Sequence, residues 1–264
     1  MKTTDSAKIA FLGFGNMASA MVDGLLRAGF LPQHLGASAR RFPVLQEKTA
    51  SRKILAFSNN IEAVRWADIV VVAVKPHLVA GVLDEVKDEL SGKIVLSVAV
   101  NLFFDDIEKM LPAGIEHLYV LPNTPVSVNE GVLLCETKHS IAEQHKPLID
   151  ALLSSLGVVA YIDSAQMKTA GIVSGCGPAF VAMFIESLAD GAVKHGVPRA
   201  LAYKLASQTL AGTAKLQQTS GAHPGAMKDA VCSPGGTTIV GVAALEKNGF
   251  RHAVIAAIDS IAAK

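Results

Sequence analysis

An excess of charge of one sign is what this sequence most plainly lacks. Its 264 residues carry 24 Lys and Arg against 23 Asp and Glu, a formal net charge of +1. Without a net field there is little to hold a polyanion, so nucleic acid is excluded as the main partner and a small molecule is expected instead. Cysteine is scarce as well. Cys135, Cys176 and Cys232 are far apart and odd in number, with no CxxC pair and no neighbour at metal-ligand spacing. A disulfide framework is thereby excluded, and free, buried thiols in a reducing, cytoplasmic compartment are expected. The eight His are scattered, His139 and His145 included, so no metal is expected. No GxSxG elbow and no paired-carboxylate motif is present, which removes two common hydrolytic chemistries. Charged residues make up only 18% of the chain and hydrophobic ones 50%. Against roughly 25% charge in an average soluble domain, that balance implies a large buried area or a subunit interface, and it excludes disorder.

The length suggests about two domains. From Lys8 to about Asp163, short β-branched runs alternate with helical stretches: KIAFLG, LGASA, ILAF, DIVVVAV, KIVLSVAV, HLYVLP, VLLCE and VVAYID are strand candidates. DIVVVAV is apolar throughout, as a strand buried on both faces must be, so a parallel sheet covered by helices on both sides is expected. After Asp163 the strand signal stops and helix formers rich in Ala and Leu take over, broken at 196–198, 221–224, 233–236 and 249. The expected fold is α/β: a doubly wound sheet of Rossmann type over residues 1–163, followed by an all-α domain over 164–264. Two stretches imitate other things. Lys2, Lys8 and the small triplet Ala18, Ser19, Ala20 resemble a signal peptide, but Gly13, Gly15 and Asn16 interrupt the apolar run as a strand, turn and helix would. The nearly uncharged run from Ala170 to Ile185 is too short to span a bilayer and is expected as a buried helix.

FLGFGNMA places Gly13, Gly15 and Ala18 as GxGxxA directly after a strand and at the start of a helix. Gly13 permits the tight turn, Gly15 lets a pyrophosphate approach the backbone, and Ala18 lets helix and strand pack closely. An NAD-selective site carries an acidic residue about 20 positions on. Here that place reads Ala37, Ser38, Ala39, Arg40, Arg41. A hydroxyl and two guanidinium groups suit a 2'-phosphate, so NADPH is the expected cofactor, with NADH the alternative. Ala73, Val74, Lys75 and Pro76 end the buried strand and would line the same crevice. Farther on, Ser233, Pro234, Gly235, Gly236, Thr237 and Thr238 precede a helix-forming run. Side-chain-free glycines, hydroxyls and the positive end of a helix make a carboxylate cradle there; a capped turn is the plainer alternative.

FLGFGNMA, AVKPH, LPNTP at 121–125, SGCGPAF at 174–180, HPG at 223–225 and above all DAVCSPGGTTI at 229–239 resemble the pyrroline-5-carboxylate reductase family over essentially the whole chain. The resemblance implies NADPH-dependent reduction of the cyclic imine 1-pyrroline-5-carboxylate to L-proline, the last step of proline biosynthesis. It also implies a cytoplasmic homodimer interlocked through the helical domain, assembled into a ring of dimers. By resemblance, Leu12, Gly13, Phe14, Gly15, Asn16, Met17, Ser38, Asn60, Ala73, Val74, Lys75 and Pro76 contact the cofactor. Val231, Ser233, Gly236, Thr237 and Thr238 form the substrate loop, with Thr238 reaching the ring nitrogen. Cys176, Phe180, Ala230 and Lys168 depart from the residues usual at their places. Two rivals remain. A hydroxyacid dehydrogenase would follow its lysine with asparagine four residues on, whereas Lys168 is followed by Ile172; a non-catalytic NADP-binding sensor would have no use for the SPGGTT loop.

Overall fold

The computed structural model describes residues 6–263. The apolar runs form strands and the amphipathic stretches between them form helices, in the order β1 (Ile9–Leu12), α1 (Asn16–Arg27), β2 (Leu35–Ser38), α2 (Phe42–Ala50), β3 (Leu55–Phe57), α3 (Asn60–Trp66), β4 (Ile69–Val72), α4 (Pro76–Val86), β5 (Ile94–Ser97), α5 (Phe104–Glu108), β6 (Glu116–Pro122), β7 (Gly131–Glu136), α6 (Lys146–Ser154), β8 (Gly157–Ile162) and α7 (Ser164–Gly171). The sheet order is β3-β2-β1-β4-β5-β6-β7-β8. All neighbours run parallel except β6 and β7. Every residue of β1, β2, β4 and β5 is buried, which explains why their sequences show no alternation. One face packs Phe11, Val71 and Leu96 under Met21, Val22 and Leu25 of α1. The other packs Leu12, Val70 and Val95 under Val64 of α3 and Val79 and Leu83 of α4. Cys135 lies in the first of these layers, and burial pushes its thiol up to about 12, so it is an inert core group.

The chain forms two compact units that divide between Gly175 and Cys176, so α7 packs with the first. The physical reason is Met167 of α7, which is fully buried with Tyr119 and Leu134 of the sheet; a helical sequence does not reveal which domain it packs on. A π-helical turn, Ile172–Cys176, follows. The second unit holds α8 (Gly177–Lys194), α9 (Arg199–Ser220), α10 (Pro224–Ala230), α11 (Thr237–Lys247) and α12 (Phe250–Ala262). Small side chains let α8 and α9 pack closely through Ala189, Ala202 and Ala206, with Ile185, Val193 and Val197 beside them.

That alanine stripe is nearly all the core this unit has. The stretch Ser164–Lys194 is long and apolar enough to cross a membrane by length and composition, yet only 11% of its most apolar window is buried. The run 170–185 is therefore not the buried helix expected: Val181 and Met183 are 48% and 66% exposed in the single chain. Leu205, Leu216, Val240 and Ile255 are exposed too. Cys176 and Cys232 are likewise half-buried rather than buried. An apolar surface of this extent on one chain marks an interface.

Candidate functional site

In the first unit β1 pairs with β2 on one side and β4 on the other, so the strand order reverses there and the carboxyl ends of β1 and β4 open a crevice. Gly13 follows β1 with φ +93, and its N–H donates to Ser38 O at 2.9 Å. A Cβ at Gly13 would stand 2.7 Å from Val74 Cγ1 and 2.8 Å from the Ala73 carbonyl oxygen. Only glycine satisfies both the backbone conformation and the close crossing. Gly15 is the N-cap of α1 and its place is different: an added Cβ would meet nothing within 4 Å. The first turn of α1 has neither an acidic residue nor a side-chain cap, so its leading N–H groups, beside exposed Gly15 and Asn16, are free for an anion. Lys75 caps α4, and Pro76 at its first position needs no N–H partner. The fold thus brings Leu12, Gly13, Phe14, Gly15, Asn16 and Met17 together with Ala73, Val74, Lys75 and Pro76.

Beyond the end of β2 lies a cavity of about 250 Å³ lined by Phe14, Gly15, Ala39, Arg40, Arg41, Val44, Leu45 and Lys48. Arg40 and Arg41 are joined there by Lys48, which sequence reasoning missed. Its signal was present: Arg41, Val44, Leu45 and Lys48 are spaced i, i+3, i+4 and i+7 from the N-cap of α2 and share one helix face. None of the three cations forms an ion pair among the described residues. Behind the cavity Arg52 grips Asp23 of α1 through two bonds of 2.6 and 2.8 Å, and its guanidinium lies 5.8 Å over the Phe14 ring. The bond to Asp23 raises the Arg52 pKa further, so this brace stays charged.

Ser38 ends β2. It is buried, and its hydroxyl donates to Asn60 Oδ1 at 2.6 Å, while Asn60 Nδ2 donates to Glu85 Oε2 of α4 at 2.7 Å. Its one proton is therefore committed to Asn60 in this arrangement. Arg40, Arg41 and Lys48 are the cations placed at the neighbouring cavity. Glu85 is a second residue that the sequence pattern did not reveal, because the contact joins helices 25 residues apart.

The second unit holds the other candidate segment. Gly236 N donates to Ser233 O at 3.0 Å, with Pro234 and Gly235 between them and Gly235 at φ +70. Proline second and a positive-φ glycine third are what a type II turn requires, so SPGG dictates its own backbone. A Cβ at Gly236 would run into Ser233 Oγ, which would have to turn aside, and would stand 3.2 Å from the Ser233 carbonyl oxygen. The turn delivers the chain into α11 with Gly236 as N-cap and no side-chain cap, which removes the capped-turn alternative for the two threonines. Thr237, Thr238 and Val231 are exposed, and the threonine hydroxyls have no hydrogen-bond partner among the described residues. Free N–H groups and uncommitted hydroxyls at a helix N-terminus can hold a carboxylate and orient a neighbouring polar atom. Among the described residues no group of three His, Cys, Asp or Glu could hold a metal.

The donor set of the first unit fits a phosphorylated dinucleotide: open space at Gly15, a free helix N-terminus, and three unpaired cations around a cavity. Residues 8–101 match a family model described as NADP oxidoreductase, coenzyme F420-dependent, and residues 164–264 match one described as pyrroline-5-carboxylate reductase dimerisation. The chain is 40% identical to pyrroline-5-carboxylate reductase of Treponema pallidum over 95% of this chain and 97% of that one. It is 38% identical to the enzyme of that name from Pisum sativum over 98% and 95%. Among solved structures, Plasmodium falciparum pyrroline carboxylate reductase with NADP bound superposes with a TM-score of 0.87 at 33% identity, covering 97% of this chain and 96% of that one.

Proposed function

The chain belongs to the pyrroline-5-carboxylate reductase family, and from that premise we propose that it reduces 1-pyrroline-5-carboxylate to L-proline with NADPH. The observation that carries the reading is the 233–238 turn, whose backbone is preset by its own sequence and whose threonine hydroxyls serve no structural bond. The first unit holds the dinucleotide, its pyrophosphate at Gly13 to Met17 and its 2'-phosphate among Arg40, Arg41 and Lys48. When bound, NADPH supplies the hydride for the imine carbon. The free N–H groups at the start of α11 and the hydroxyls of Ser233 and Thr237 hold the substrate carboxylate in the loop of Val231, Ser233, Gly235, Gly236, Thr237 and Thr238, and Thr238 orients the ring nitrogen. A threonine hydroxyl is too weak an acid to protonate the imine efficiently, so Thr238 positions a nitrogen that is already protonated or relays a proton to it. Mixing the purified protein with pyrroline-5-carboxylate and NADPH should oxidise the cofactor. A folded protein that binds NADPH without turnover would leave the sensor in its place.

Arg40→Ala, Arg41→Ala and Lys48→Ala should each weaken NADPH more than NADH. A charge-assisted contact to phosphate is worth about 1.5 to 3 kcal/mol, roughly one to two decades in affinity. Equal losses for both nucleotides, measured by titration, would remove the phosphate role.

The helical unit is the dimerisation unit. Its exposed Val181, Met183 and Val240 are then covered by the second copy, and we extend this to a ring of such dimers. Sedimentation should show no monomer at micromolar concentration, and light scattering should give an even multiple of the protomer mass. A stable wild-type monomer would contradict the interlocked dimer, and a bare dimer would contradict the ring.

A further inference from the structure

We infer that Glu85 is a positioning residue for nucleotide choice, acting through Asn60 to make the end of β2 a surface of hydrogen-bond acceptors and so to restrain the preference for NADPH over NADH. The inference rests on the reading that the first unit binds a nicotinamide dinucleotide. A carboxylate can only accept, so Glu85, 2.7 Å from the Asn60 amide, fixes which edge of that amide faces it: the amino edge. The carbonyl edge is thereby turned toward the end of β2, where Ser38 donates its single proton to it at 2.6 Å. Oxygen lone pairs are what remain at this corner. Lone pairs suit a ribose hydroxyl, which has a proton to give, and do not suit a phosphate, which has none to spare. The end of β2 lacks the acidic residue that holds the ribose in NAD-selective sites. The chain Glu85, Asn60, Ser38 supplies its acceptor character from α4, opposite in effect to the cations Arg40, Arg41 and Lys48.

Without Glu85 the amide can turn over. Its amino edge would then face β2 and donate to Ser38, and the Ser38 hydroxyl would be released to donate in turn. Two acceptors become two donors, with no change in fold, because Glu85 is exposed on α4 and has no other partner among the described residues.

The test is isothermal titration of NADPH and of NADH into the wild-type protein and into Glu85→Ala, Glu85→Gln, Asn60→Ala and the double variant Glu85→Ala/Asn60→Ala. Glu85→Ala should move the ratio of the two dissociation constants toward NADPH by roughly tenfold, the worth of one hydrogen bond to a charged group. Glu85→Gln, whose amide can both accept and donate, no longer fixes the Asn60 amide, so its ratio should move the same way as in Glu85→Ala but by a smaller factor. In the Asn60→Ala background the loss of Glu85 should change nothing. An unchanged ratio in Glu85→Ala, an unchanged ratio in Glu85→Gln, or a shift that persists without Asn60 would each overturn the inference; the last would identify bare charge as the cause. A wild-type protein that bound neither nucleotide would instead sink the reading on which the inference rests.

Discussion

Thr238→Val should lower turnover by about tenfold to a thousandfold, the range for a positioned hydrogen bond or proton relay in a transition state. The valine keeps the shape and loses the donor. Thr238→Ser keeps the hydroxyl and should retain most activity. Stability should hardly move, within about 0.5 kcal/mol, because Thr238 is exposed and its hydroxyl caps nothing: the N-cap of α11 is Gly236, and the backbone turn before it is closed by Ser233 and Gly236. NADPH affinity should change less than turnover, since the residues proposed to hold the dinucleotide belong to the first unit. Steady-state kinetics, NADPH titration and a melting curve separate the possibilities. A valine variant that turned over like the wild type would remove Thr238 from the chemistry, and one that melted several degrees earlier would show that the hydroxyl has a structural role.

The second large effect concerns the two glycines that one motif makes look alike. Gly13→Ala should destabilise the protein and abolish NADPH binding together. The new methyl group would meet Val74 Cγ1 at 2.7 Å and the Ala73 carbonyl at 2.8 Å, on a backbone at φ +93. Positive φ and overpacking together cost about 2 to 4 kcal/mol, and the turn after β1 must move away from the segment after β4 to accept them. Gly15→Ala should do the opposite. Its methyl meets no protein atom within 4 Å, so the loss of stability should be at most about 1 kcal/mol, from a poorer N-cap. It enters the space a pyrophosphate needs, and NADPH affinity should fall by roughly a hundredfold, nearly 3 kcal/mol. Melting without nucleotide and titration with NADPH test both. If Gly15→Ala lost stability and kept its affinity, the pyrophosphate would not lie there.

Much of the first unit is legible residue by residue, because parallel strands and crossover helices are local patterns. An apolar run such as DIVVVAV has few alternatives to a doubly buried strand, and GxGxxA after such a run has few alternatives to a glycine turn into a helix. SPGGTT is legible for the same reason: proline and glycine constrain their own φ angles, and the type II turn needs no help from elsewhere. The helical unit was legible as helices but not as surfaces. Composition does not distinguish an apolar face that packs inward from one left for a second chain, and the run 170–185 is of the second kind.

What tertiary structure alone decided is the contacts between distant segments. The helix α7 packs with the first unit because Met167 is buried beside Tyr119 and Leu134. Lys48 joined Arg40 and Arg41 because α2 turns that face toward the cavity. Ser38 donates to Asn60, which donates in turn to Glu85, because two other helices bring those groups to the end of β2. Backbone conformation and strand burial are set by near neighbours and by the character of each side chain, which the sequence carries directly. The direction of a hydrogen bond is set by which group lies across the gap, and only folding brings that group there.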